Sequence, residues 1–131
     1  MHAEELITTD VILTTPLHKA NITHFAKVDI VVDNISSDDV FSLKTELLNS
    51  VALQKFKITF KKSTIDETLL VLIGEPYRNI PNVKMIWYFR GQTDHDYYLH
   101  IVLETHTLID KTRMLILSRV KKEDTPFFEN Q

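Results

Sequence analysis

Cysteine is absent from the 131 residues, which removes disulfides, thiolate metal sites and cysteine nucleophiles together. Glycine occurs only twice, at Gly74 and Gly91, so no glycine-rich loop can cradle a phosphate. Apolar runs are short: Leu69 to Ile73 falls far below the roughly 20 residues that cross a bilayer. Charge of one sign is not in excess either, since 15 Lys and Arg against 18 Asp and Glu leave a net charge of −3 and no global attraction to nucleic acid or an anionic membrane. Met1 to Glu5 has neither the basic nor the apolar segment of a secretory signal, so the expectation is a soluble, cytoplasmic protein without a membrane partner.

What is present is ordinary for a globular chain: 44% hydrophobic and 25% charged residues. At this length one domain, residues 1–131, is expected, with about 1–9 and 122–131 loosely ordered. There is no internal repeat or low-complexity segment.

Three extended runs fill 83–121. Val83, Met85, Trp87 and Phe89 alternate with Lys84, Ile86, Tyr88 and Arg90, and the first set faces a core. Tyr97 to Thr105 places Leu99, Ile101 and Leu103 against Tyr98, His100, Val102 and Glu104. Arg113 to Val120 is apolar on both sides, with Met114, Ile116 and Val120 opposing Leu115 and Leu117. Such runs predict an antiparallel meander.

Upstream, Val11 to Leu13 reads as a short edge strand before Pro16, and Leu17 to Ala26 is ambiguous between turn, helix and strand. Ala26 to Asp33 and Lys55 to Lys61 alternate with period two, predicting half-buried strands. Ser36-Ser37-Asp38-Asp39 is a helix start, because a serine oxygen caps free amides and the aspartates oppose the positive end of the helix dipole. The amphipathic pattern predicts one helix over about 36–53. Glu67 to Ile73, continuously apolar, reads as a strand buried on both sides, ended by Gly74-Glu75-Pro76. The expected fold is α+β: one long helix on a curved antiparallel sheet of five to seven strands, an outline shared, as architecture alone, by cystatin-like and hot-dog-like rolls.

No side-chain constellation points to catalysis, a cofactor or a metal. His100, Glu104 and His106 share one strand face, but His100 and His106 are about 20 Å apart at ~3.3 Å per residue, too far for one ion. Asp94-His95-Asp96 could tune an imidazole, yet no nucleophile stands at a recognisable spacing. Lys55, Lys57, Lys61 and Lys62 form a basic strand, but Phe56 and Phe60 point away from it, where nucleic-acid sheets interleave stacking aromatics. Nucleic-acid contact is therefore the least supported reading.

The reading favoured by the residues is a non-catalytic protein-interaction module, acting as a homodimer, adaptor or inhibitor. Its surface is the second face of the meander: Ile86, Tyr88, Arg90, Tyr98, His100, Val102, Arg113, Leu115, Leu117 and Arg119, where tyrosine and arginine join aliphatic residues. The alternative is a small-ligand carrier or enzyme with a pocket between helix and sheet near Trp87, His95, Asp96 and Tyr97.

Overall fold

A computed structural model describes residues 5–15, 17, 22–81, 83–91, 96–104 and 113–127. Among these residues seven strands form one sheet: β1 Glu5–Leu13, β2 Lys27–Ile35, β3 Lys55–Ser63, β4 Arg78–Ile80, β5 Lys84–Arg90, β6 Tyr97–Glu104 and β7 Arg113–Lys121. Two helices, α1 Ser37–Leu47 and α2 Thr68–Ile73, join β2 to β3 and β3 to β4. The protein is thus α+β with one main helix and a large sheet in the order β1-β2-β3-β7-β6-β5-β4.

The sheet is mixed, which corrects the antiparallel expectation. β1, β2 and β3 run parallel, whereas β3-β7, β7-β6, β6-β5 and β5-β4 are antiparallel. Parallel neighbours need a crossover. Helix α1 supplies one, and the connection after β1, which buries Leu17 and Ile22, supplies the other. The expected meander is present as β5, β6 and β7.

The helix start is as the residues dictate. Ser36 Oγ accepts from the Asp39 amide at 3.1 Å and Asp39 Oδ2 accepts from the Ser36 amide at 2.9 Å, a reciprocal capping box. The expected extent to residue 53 is corrected: the helix stops at Leu47, Ser50 N–H turns back to the Leu47 carbonyl, and Val51 stands 76% exposed. Leu53 must re-enter the core two residues before β3 begins, so the chain has to reverse at Asn49-Ser50.

A second correction concerns 67–73, which holds helix α2, Thr68–Ile73 after its N-cap Glu67, and not a strand. Leu69 and Ile73, one turn apart, are buried while Val71 between them is 84% exposed. A short apolar run fits a buried strand or a helix equally by periodicity. The deciding signals are at its ends. Asp66 Oδ1 takes the Thr68 amide at 3.0 Å, and Gly74 at φ +91° breaks the helix.

Both helices lie on one face of the sheet. There Val40, Leu43, Leu47, Leu69 and Ile73 pack on Val28, Ile30, Val32, Phe56, Ile58, Phe60, Trp87, Leu99, Ile101, Leu103, Leu115 and Leu117 in a single core. Ser37 Oγ, at the head of α1, donates to Asp66 Oδ1 at 3.4 Å and accepts from the Asp66 amide at 3.3 Å, locking the two helix starts together.

Candidate functional site: the helix-free sheet face

Directly opposed residues in a sheet project from the same face. The register therefore assembles the face away from the helices. Asp29 opposes Lys57, Lys57 opposes Ile116, Ile116 opposes Val102, Val102 opposes Ile86 and Ile86 opposes Arg78. This row runs from charged at β2-β3 to aliphatic at β7-β6-β5. Ile86, Val102 and Ile116 are each half-buried by their neighbours, and among the described residues no helix covers them. A parallel row adds Thr59, Met114, Glu104 and Lys84.

At the other end of the same face lies an aromatic cluster. Tyr88 opposes His100 and the two rings stack at 4.6 Å, 14° from coplanar. Tyr77, just before β4, meets Tyr88 edge-on at 5.6 Å. After β7 the chain reverses in a 3-10 turn at Lys122–Asp124, tied by Lys122 N–H to the Asp96 carbonyl at 2.8 Å and by Thr125 Oγ–H to the Lys122 carbonyl at 2.7 Å. That return brings Phe127 over the face, 5.4 Å from Tyr77, 5.6 Å from Tyr88 and 5.7 Å from Tyr98.

Burial sets the electrostatics here. The His100 imidazole is harder to protonate than usual, chiefly because it is desolvated and then because Lys84 is near. Burial, with a smaller contribution from Tyr77, raises the Tyr88 phenol above its ordinary value.

Of the residues read as this face, Ile86, Tyr88, Arg90, Tyr98, His100 and Val102 share it. Arg113, Leu115, Leu117 and Arg119 project to the helix side: Leu117 opposes Ile101, Leu115 opposes Leu103, and both leucines are 0% exposed. Met114, Ile116, Ser118 and Val120 take their place on the face. Both alternations of β7 are apolar, so only its register with β6 separates them. The arginines flanking the leucines escape the core at the strand ends. Arg119 lies 3.8 Å over the Tyr97 ring and donates to the Val51 carbonyl at 3.1 Å.

The alternative pocket residues do not converge. Trp87 is 1% exposed in the core, its indole N–H donating to the Gly74 carbonyl at 3.0 Å. Asp96 and Tyr97 line a shallow hollow of about 300 Å³ with Lys121, Lys122 and Glu123, and His95 lies outside the described residues. A larger open groove of about 730 Å³ sits elsewhere, between the start of α2 and the sheet. Phe60, Leu69, Leu103 and Met85 line it, with Asp66 and Arg113 at its rim. The Asp66 carboxyl is held below its ordinary range, first by its bonds with Thr68. The residue signals for this groove lay at Asp66 and Gly74, the limits of a helix read as a strand.

Among the described residues no three His, Asp or Glu side chains gather to hold a metal ion, and His106 lies outside them. No helix among those residues is long and apolar enough to cross a membrane. The basic strand has Lys57 facing Asp29, and Phe56 and Phe60 are buried on the opposite side.

A family model described as the FTH domain matches residues 2–73, just over half of the chain. The match spans β1 through α2, including both helices and the parallel strands, and stops before the aliphatic and aromatic half of the face. No curated protein and no solved structure matches the chain.

Proposed function

The chain belongs to the FTH domain family, and we propose that it is a non-catalytic protein-interaction module whose helix-free sheet face packs on a second copy of itself. The observation that carries this reading is the row Ile116, Val102 and Ile86, aliphatic side chains standing together on a face to which neither helix contributes. Their continued hydration is unfavourable, and a two-fold axis through the row sets identical aliphatic patches against each other. The six strands of seven to nine residues, at ~4.8 Å spacing and ~25 Å length, present about 700 Å², close to the roughly 800 Å² per partner of a stable interface. The charged residues of β2 and β3 form a polar strip beside this patch, with exposed Ile7 of β1 beyond it.

The experiment is sedimentation velocity across a concentration series, with Val102→Lys as the comparison. The unaltered chain is expected to pass from monomer to dimer, and Val102→Lys to remain monomeric with an unchanged circular dichroism spectrum. A chain that stays monomeric at hundreds of micromolar overturns the reading.

The groove beside α2 favours a second reading, a carrier of a small amphipathic anion. Its volume of about 730 Å³ and apolar lining suit the body of such a ligand, and Arg113 would meet its charge against the opposing Asp66 and Glu67 that line the same groove. Anilinonaphthalene sulfonate serves as the probe. Fluorescence enhancement that disappears in Arg113→Glu supports this reading, and enhancement that survives it counts against the groove.

A further inference from the structure

We propose that Tyr77, Tyr88 and Tyr98 form a socket for a phenylalanine side chain of an acidic peptide, and that Phe127 of the chain's own tail is its resting occupant. This rests on reading the helix-free face as a protein-binding surface, and it names the chemistry of one partner.

The socket has supports other than the tail. Tyr88 and Tyr98 are carried by neighbouring strands, and Tyr88 is braced by His100 stacked at 4.6 Å and by Tyr77 edge-on at 5.6 Å. None of these contacts involves Phe127. A preformed apolar site of this kind needs little ordering when a ligand enters.

Phe127, in turn, is an exchangeable occupant. Its ring packs edge-on against Tyr77 and Tyr88 and stacked on Tyr98, all three on or beside the helix-free face. It is outside the core cluster. The last backbone tie before it is at Thr125, whose amide and hydroxyl both bond the Lys122 carbonyl, and only Pro126 intervenes. Withdrawal of the ring therefore uncovers the tyrosines and leaves the helix-side core as it is.

The tail also shows which sequence the socket accepts. Phenylalanine sits in Glu123-Asp124-Thr125-Pro126-Phe127-Phe128-Glu129, three acidic residues around an aromatic pair. The same sheet face carries Arg90, directly opposite Tyr98, and Arg78 on the strand beside Tyr88. A partner segment with acidic residues about a phenylalanine meets the same surroundings. Because a short tether gives its own ligand an effective concentration of about millimolar, the tail holds off weak competitors and yields to stronger ones.

The test uses a synthetic peptide of residues 122–131 added to isotope-labelled full-length protein, followed by NMR. With Phe127→Ala protein, saturable shifts are expected at Tyr77, Tyr88, Tyr98 and His100. The unaltered chain should bind at least tenfold more weakly, and a peptide carrying Phe127→Ala should not bind. Equal binding by the two proteins, or shifts elsewhere on the surface, overturns the proposal. Chain 1–125 is a second tail-free form, and if neither it nor Phe127→Ala folds, Phe127 is a structural residue and the proposal falls. Self-association is read separately by sedimentation, so a chain that dimerises without exchanging its tail loses this inference and keeps the dimer.

Discussion

The indole N–H of Trp87 donates to the Gly74 carbonyl at 3.0 Å, joining the centre of β5 to the residue that ends α2. A buried donor and a carbonyl freed by the helix end satisfy each other, so the bond fixes α2 over the sheet. Trp87→Phe keeps most of the ring volume and removes the donor, and is expected to lower stability by about 1–3 kcal/mol in urea denaturation.

Gly74 itself occupies φ +91°, ψ 177°, with open space where a Cβ would stand. Any cost of Gly74→Ala is therefore backbone strain and not a clash. A loss of about 1–3 kcal/mol is expected, and a neutral result would mean that the residue adopts another conformation.

Residue 71 separates helix from strand directly. On α2 Val71 faces solvent, whereas in a strand buried on both sides it would be enclosed. Val71→Lys is expected to change stability by no more than about 0.5 kcal/mol, measured by thermal or urea unfolding. The same substitution at Leu69 should be severely destabilising.

On β7 the two alternations should respond oppositely. Leu117→Ala removes a fully buried side chain, with an expected loss of about 2–5 kcal/mol. Ile116→Lys, on the helix-free face, should leave the chain folded and abolish its self-association. A large unfolding effect at Ile116 with none at Leu117 would invert the register.

His100 gives the face a pH dependence. Its folded-state pKa is depressed below the ordinary value of about 6.5, first by desolvation and then by Lys84. The unfolded chain therefore binds the proton first as pH falls. The stability contribution is full above the unfolded value and is lost as pH drops through the window down to the folded value. Tm measured from pH 8 to 5 should show this decline, and His100→Gln should flatten that part of the curve.

The serine and aspartates of 36–39, the period-two alternation of 27–33 and 55–61 and the three runs after Val83 locate α1 and five of the strands from local chemistry alone. Residues 67–73 were illegible because the five apolar positions from Leu69 to Ile73 satisfy both periods. The parallel pairing of β1, β2 and β3 was illegible because alternation carries no strand direction. Of the ten residues read as the candidate face six lie on it: Ile86, Tyr88, Arg90, Tyr98, His100 and Val102 follow from the alternation of strands with one clearly apolar side.

For β7 the order of residues fixes two sets, Met114-Ile116-Val120 and Leu115-Leu117, and leaves open which set faces the helices. Phe127 likewise appears in the sequence only as an aromatic residue in a charged tail. The pairing of Leu117 with Ile101 and the reversal at Lys122–Asp124 settle both matters. Local sequence determines which side chains alternate, because the pleat is a property of one strand. Only the folded chain determines which alternation is inside, because that depends on hydrogen bonds between strands distant in sequence.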